Sequence, residues 1–138
     1  MSDTKEHANG KAALSLITLH LARCQAFPEG SSTIGYRFIA PLDSQSRINP
    51  ADWNGLRQRC LVNRFRDGEP GLSGHLVHKP GGAGGATWYF DYAAAGAEEA
   101  VKHLDEHRFL PGEYVSIQAG SGDWETYKIV DVRLVADQ

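Results

Sequence analysis

Hydrophobic and polar residues alternate with a period of two along most of this chain, which is the pattern of half-buried β-strands. Glycine, proline and aspartate cluster between the alternating runs, as they do in turns. We therefore predict a mainly β fold, a small closed or partly open β-barrel of about six or seven strands. The predicted strands are Leu14–Leu21, Ile34–Ala40, Leu61–Arg66, Leu72–His78, Ala86–Tyr92, Tyr114–Ile117 and Trp124–Val135.

The alternation changes phase within the last run. Tyr127 and Ile129 fall on one parity, whereas Val130 and Val132 fall on the other. Such a switch is expected at a β-bulge, which bends a strand around a barrel, and we predict a bulge near Ile129. We also predict that four side chains of the last two strands point into one core: Val115, Ile117, Val130 and Val132.

Two segments have helical features. Asn49 is a good cap and Pro50 suits the first helical position, so a short helix is predicted to begin there. The apolar residues that follow have the spacing of one helix face: Trp53, Leu56 and Cys60. Residues 93–108 are predicted as a second short helix, with a loop as the alternative, because Ala97, Val101 and Leu104 have helical spacing.

Length and composition indicate a single domain. The chain has 138 residues, 41% of them hydrophobic, and a net charge of −3. Residues 1–11 are polar and are predicted to be a disordered tail, with one β domain over residues 12–138. The charge is uneven: residues 37–79 carry seven basic and four acidic residues, whereas residues 80–138 carry four basic and ten acidic ones. The total charge nevertheless argues against a dedicated nucleic-acid binder.

No secretory signal is visible, and the apolar run at residues 12–22 is too short to cross a bilayer. We expect a cytoplasmic protein without a membrane partner, whose cysteines, Cys24 and Cys60, are reduced. Neither the oligomeric state nor the pathway follows from the sequence.

Three segments carry a resemblance to known proteins. Residues 21–30 (LARCQAFPEG), 81–92 (GGAGGATWYFDY) and 111–117 (PGEYVSI) resemble a group of small bacterial proteins of unknown function. The resemblance implies no activity. The C-terminal hairpin is similar, in a generic way, to hairpins of SH3-like barrels.

The glycine-rich loop after the fourth strand is the most unusual local feature. Backbone N–H groups of glycines can converge on an anion, although the Walker and dinucleotide motifs are not matched here. Two arginines share a strand face upstream, and we predict that they form one exposed basic face with Lys79 beside the loop. The predicted ligand-binding residues are Arg64, Arg66, His75, His78, Lys79, Gly81, Gly82, Gly84, Gly85 and Asp91.

Catalysis is left open. His103 and His107 would share a helix face and, with Asp91, would suit a small hydrolase or metal enzyme. The general base of the zincin motif is missing, however, because Leu104 stands where a glutamate is needed. We predict no metal and no cofactor. The function predicted is a non-catalytic binding module for a protein or a small anionic ligand, with a nucleic-acid-binding SH3-like barrel and the enzyme as alternatives.

Overall fold

Eight antiparallel strands form the described part of the protein. The computed structural model describes residues 13–79, 87–118 and 122–135, so the predicted tail and the glycines at 81–85 lie outside the described residues. The strands are β1 (Ala13–Leu21), β2 (Ser31–Leu42), β3 (Leu61–Arg66), β4 (Leu72–His78), β5 (Trp88–Tyr92), β6 (Ala97–Val101), β7 (Tyr114–Gln118) and β8 (Trp124–Leu134). Helix α1 (Pro50–Leu56) and 3₁₀ turns at Arg57–Arg59, Ala93–Ala95 and Leu104–Glu106 complete this part of the chain.

Each strand pairs with the next along the chain, and β8 pairs with β1, so the barrel is closed. The prediction of a mainly β barrel is confirmed, although its count of six or seven strands was slightly low. Strands β6 and β7 share only the pair Val101–Ile117 among the described residues, so this is the least paired seam. No helix in the described ranges is long and apolar enough to span a membrane.

The strand that the sequence pattern did not reveal is β6, and the predicted helix over residues 93–108 is wrong. Gly96 adopts a left-handed φ of 67° after a 3₁₀ turn, and β6 then pairs with β5 along its whole length. The inward side chain at its centre is Glu99, whereas outward Ala100 is covered by neighbouring side chains. The usual polar and apolar positions are thus inverted at Glu99 and Ala100, which hides the period of a strand.

The apolar end of the barrel is closed by α1. Asn49 caps this helix as predicted, since its Oδ1 accepts a hydrogen bond from the Ala51 amide at 2.8 Å. Trp53 packs edge-on against Trp88 and His78, with ring centroids 5.7 and 5.9 Å apart. Because Trp88 begins β5 and His78 ends β4, these rings occupy the same end of the barrel.

The predicted bulge in β8 is confirmed. The β1–β8 register shifts between Thr18 and Leu19, which leaves Val130 as the extra residue beside Ile129. Val115, Ile117, Tyr127 and Ile129 are buried, and Val132 is partly buried against the core. Val130 was predicted to face the core and is instead exposed, because it is the extra residue of the bulge and has no register partner on β1.

Candidate functional site

Arg64 and Arg66 point into the barrel. Their register partners on β2, Tyr36 and Ile34, are both buried, and paired residues in a sheet share a face. The predicted exposed face shared with Lys79 is therefore wrong. Lys79 lies outside the barrel, where its Nζ contacts Glu98 Oε1 at 2.9 Å.

A buried carboxylate holds the first arginine. Arg64 Nη1 donates to Glu99 Oε2 at 2.9 Å, while the hydroxyls of Tyr36 and Tyr92 each donate to Glu99 Oε1 at 2.9 Å. Only 4% of Glu99 is exposed. A carboxylate is costly to bury unless it is paired and hydrogen-bonded, and Glu99 meets both conditions.

The second arginine belongs to an adjoining group. Arg66 Nη2 lies 3.3 Å from Glu125 Oε1 and donates to the Tyr127 hydroxyl at 3.4 Å. Tyr127 in turn donates to Glu125 Oε1 at 2.7 Å, and its ring packs edge-on against Tyr36 with centroids 4.9 Å apart. We call the combined set the polar cluster: Tyr36, Arg64, Arg66, Tyr92, Glu99, Glu125 and Tyr127.

The polar cluster lies at the end of the barrel opposite α1. Arg66 ends β3 and Tyr92 ends β5, whereas α1 packs at the beginning of β5. Glu125 is inward because it pairs with buried Ile117. The lumen therefore changes from aromatic rings at one end to charged and phenolic groups at the other.

The tyrosines of the polar cluster act as donors. Burial first, and then Glu99 and the neighbouring phenols, raise the pKa values of Tyr36 and Tyr92 far above their ordinary value. Burial and the hydrogen bond with Glu125 do the same to the pKa of Tyr127. All three phenols hold their protons at neutral pH and are poor general bases.

Arg66 keeps hydrogen-bonding capacity. A guanidinium has five N–H donors, and the contacts of Arg66 all use Nη2. Among the residues that the structure describes, no acceptor meets its Nε–H or Nη1–H groups. Burial by itself lowers the pKa of Arg66, but Tyr127, Tyr36 and Glu125 raise it more, so the group stays charged. The side chain is 22% exposed, which brings solvent to these donors.

The other predicted binding residues do not join the two arginines. His75 pairs with Leu61 and Asp91, on the outer face beside Lys79. His78 lies inside the apolar end, with its ring 4.3 Å from that of Trp88. Among the described residues, the structure brings Arg64 and Arg66 together inside the barrel, whereas His75, Lys79 and Asp91 lie on the outer face. The predicted glycines are outside the described residues, and binding by the remaining positions stays a prediction.

Sequence reasoning did not place the other five members of the polar cluster beside the arginines. A usable signal existed in β3, because Val62 shares its parity with both arginines and is a core residue. A run that begins with an apolar inward residue predicts inward side chains two and four positions later. Glu99 carried no comparable signal, since its strand was itself unrecognised.

The residues named for an enzyme are not assembled into a site. His103 has a left-handed φ of 51° and contacts Glu106, whereas the His107 ring contacts the Lys102 carbonyl. The helix face they were predicted to share does not exist. No group of three or more metal-ligating side chains occurs within residues 13–79, 87–118 and 122–135. Burial raises the pKa of the Cys60 thiol to about 11, which makes it a poor nucleophile.

Comparison with known proteins adds no assignment. The chain matches no protein-family model, no curated protein and no solved structure. The resemblance to small bacterial proteins and to SH3-like hairpins therefore stays a prediction, and the site is interpreted from its own geometry.

Proposed function

We propose that the protein is a non-catalytic binding module and that the polar cluster binds a small anionic ligand. The proposal depends on the Nε–H and Nη1–H groups of Arg66, which have no hydrogen-bond acceptor among the described residues. Its Nη2 is fixed by Glu125 and Tyr127, while its other N–H groups face no acceptor in the described part of the chain. A guanidinium held rigidly with spare donors suits planar anions such as carboxylates and phosphates.

Arg64 lies two positions away on the same face and contributes a second guanidinium. It is 21% exposed, and besides Glu99 it approaches Glu69, a residue that is 56% exposed, at 3.9 Å. That long, solvated contact is a weak one. An incoming anion can take the place of Glu69 without disturbing the short buried bond to Glu99.

The local carboxylates limit how strong the binding is. Glu99 and Glu125 offset the charges of the two arginines, so attraction at long range is small. Recognition then depends on hydrogen bonds at short range. We expect weak binding of a simple anion, with tighter binding for a ligand that has further contacts.

A binding role fits this chemistry better than catalysis. The phenols are held protonated by their raised pKa values, and Glu99 already accepts three hydrogen bonds. A general base needs a free acceptor near the reacting proton.

Both cysteines are free thiols, and we place the protein in the reducing cytoplasm on that ground.

Isothermal titration with inorganic phosphate and with succinate tests the proposal. We expect saturable binding of at least one anion, weakened about tenfold or more in Arg66→Gln because a hydrogen bond to a charged group is lost. Arg66→Lys keeps the charge but not the planar donors, and it should bind with intermediate affinity. Arg59→Gln, an exposed substitution next to α1, should leave binding unchanged.

Circular dichroism of each variant shows whether the barrel is intact. Folded Arg66→Gln that binds both anions as tightly as the parent would exclude the polar cluster as the site. A parent protein that binds neither anion would exclude the proposed ligand class.

A further inference from the structure

Five adjacent strands each contribute one residue to a row on the outer surface of the barrel. Each residue of the row is the register partner of the next. The register pairs Tyr114 with Lys128, Lys128 with His20, His20 with Gly35, and Gly35 with Phe65. Neighbouring strands lie about 4.8 Å apart, so the row extends over about 19 Å. We call Tyr114, Lys128, His20, Gly35 and Phe65 the outer row.

These side chains point away from the lumen. The residues next to them along the chain, Val115, Tyr127, Leu19 and Tyr36, are buried, and successive side chains in a strand point to opposite faces. Tyr114 is 52% exposed, and Lys128 is exposed as well. The outer row is therefore separate from the polar cluster inside the barrel.

Gly35 lets the rings of the outer row approach each other. A Cβ at this position would lie 3.0 Å from Phe65 Cζ, so the phenylalanine ring covers the glycine. Phe65 thereby reaches His20, with ring centroids 6.2 Å apart and planes at 88°. The Arg37 guanidinium lies above the Phe65 ring, 4.7 Å from its centroid.

Cations line the same surface. A groove of about 940 Å³ is lined by Tyr114, Lys128, His20 and Arg23. Glu29 is the acidic residue in its lining. Burial and nearby Arg37 lower the pKa of His20, so its imidazole contributes a neutral ring at neutral pH. The permanent cations nearest the outer row include Arg23 and Lys128, which line the groove, and Arg37, which lies over the Phe65 ring.

We propose that the outer row and its flanking cations bind single-stranded nucleic acid. Exposed aromatic rings beside cations that can contact phosphates are the means by which single strands are held without sequence selectivity. A base can stack on Tyr114, and another on the guanidinium plane of Arg37, as arginine and aromatic planes do in single-strand recognition. The net charge of −3 argued against a dedicated nucleic-acid binder. That argument concerns the whole chain, whereas Arg23, Arg37 and Lys128 all lie near the outer row.

An acidic peptide is the competing occupant. It would use the cations alone, because carboxylate side chains gain little from exposed rings. The alternation of ring and cation along one level of the sheet, Tyr114–Lys128–His20, favours a ligand that has planar bases as well as negative charges.

Fluorescence anisotropy of a labelled oligodeoxythymidine of about twelve nucleotides tests the proposal. With three cations engaged, log K should fall with log salt with a slope of about −2, since each neutralised phosphate of a single strand contributes about −0.7. Tyr114→Ala should weaken binding about tenfold. The double variant Arg37→Gln, Lys128→Gln should reduce the slope to about −0.7.

One control separates this surface from binding to any exposed cation. Arg59→Gln removes an exposed cation elsewhere and should bind the oligonucleotide as the parent does. No anisotropy change at low salt would overturn the proposal. Unchanged affinity in folded Tyr114→Ala, or a polyglutamate peptide that binds as tightly as the oligonucleotide, would also overturn it.

Discussion

Glu99 is the residue on which the interior of the polar end depends. It is almost fully buried, and its two oxygens accept hydrogen bonds from Arg64, Tyr36 and Tyr92. These partners come from β3, β2 and β5, so one carboxylate connects four strands of the barrel. Removing the charge of Glu99 would weaken its hydrogen bonds to all three partners.

Glu99→Gln should lower the free energy of unfolding by about 3 kcal/mol. The substitution leaves Arg64 without its buried counter-ion, and breaking one side of such a pair is costly. Glu98→Gln is a matched control one residue away, because Glu98 is exposed and pairs with Lys79 outside the barrel. Urea denaturation of both variants measures the effect. Equal stability of the two variants would contradict the structural role of Glu99.

Alkaline pH should destabilise the barrel through Tyr36, Tyr92 and Tyr127. Their pKa values are raised in the folded state, whereas in the unfolded chain they ionise near pH 10. The stability they contribute is thus complete below about pH 10 and is lost above it. The expected loss is about 1.4 kcal/mol per pH unit for each tyrosine.

Phenolate absorbance followed together with circular dichroism checks this expectation. The three phenols should ionise only as the barrel unfolds, and Tyr92→Phe should reduce the pH dependence by about one third. Ionisation of all tyrosines in a protein that is still folded would contradict the buried hydrogen bonds.

At the level of single elements, predictions from the sequence succeeded where local chemistry decides the structure. The Asn49 cap and the phase change near Ile129 both depend on neighbouring residues, and both are confirmed. Strand β6 was missed because Glu99 is inward and its stabilising partners are distant in sequence. Local periodicity contains no information about such partners.

Gly35 in β2 gives a prediction about one element and its neighbours. A Cβ there would lie 1.9 Å from the Leu19 carbonyl oxygen, so Gly35→Ala must displace β1 or β2. We expect destabilisation of about 1–3 kcal/mol or more, the cost of overpacking. In α1 nothing lies within 4 Å of the corresponding atom at Gly55, and Gly55→Ala should stabilise the protein by about 0.5–1 kcal/mol.

Urea midpoints of the two glycine variants provide the comparison. Glycine-to-alanine substitution should lower the free energy of unfolding at position 35 and raise it at position 55. Gly35→Ala with parental stability would mean that β1 and β2 do not approach as closely as described.

At the level of the whole molecule, closure of the barrel decides which side chains are enclosed. The sequence predicts the described strands other than β6 and the shared parity of Arg64 and Arg66. We nevertheless predicted both arginines on the outer face, because charged side chains are seldom buried. The arginines are inward because they share the parity of buried Val62. Pairing of β8 with β1 then closes the barrel and brings Glu125 and Tyr127 to the same end as Glu99. That arrangement joins residues about sixty positions apart, beyond the reach of local patterns.

The most direct test of the proposed anion site is NMR of the arginine side chains during titration with inorganic phosphate. The Nε–H signal of Arg66 should shift in a saturable way, and that of Arg64 should shift with it, because both guanidinium groups are inward at the polar end. The signal of exposed Arg59 should move only by the general effect of ionic strength. Saturable shifts at Arg66 with little change at Arg59 are the predicted result. Signals of Arg64 and Arg66 that stay fixed at high phosphate would contradict binding at the polar cluster.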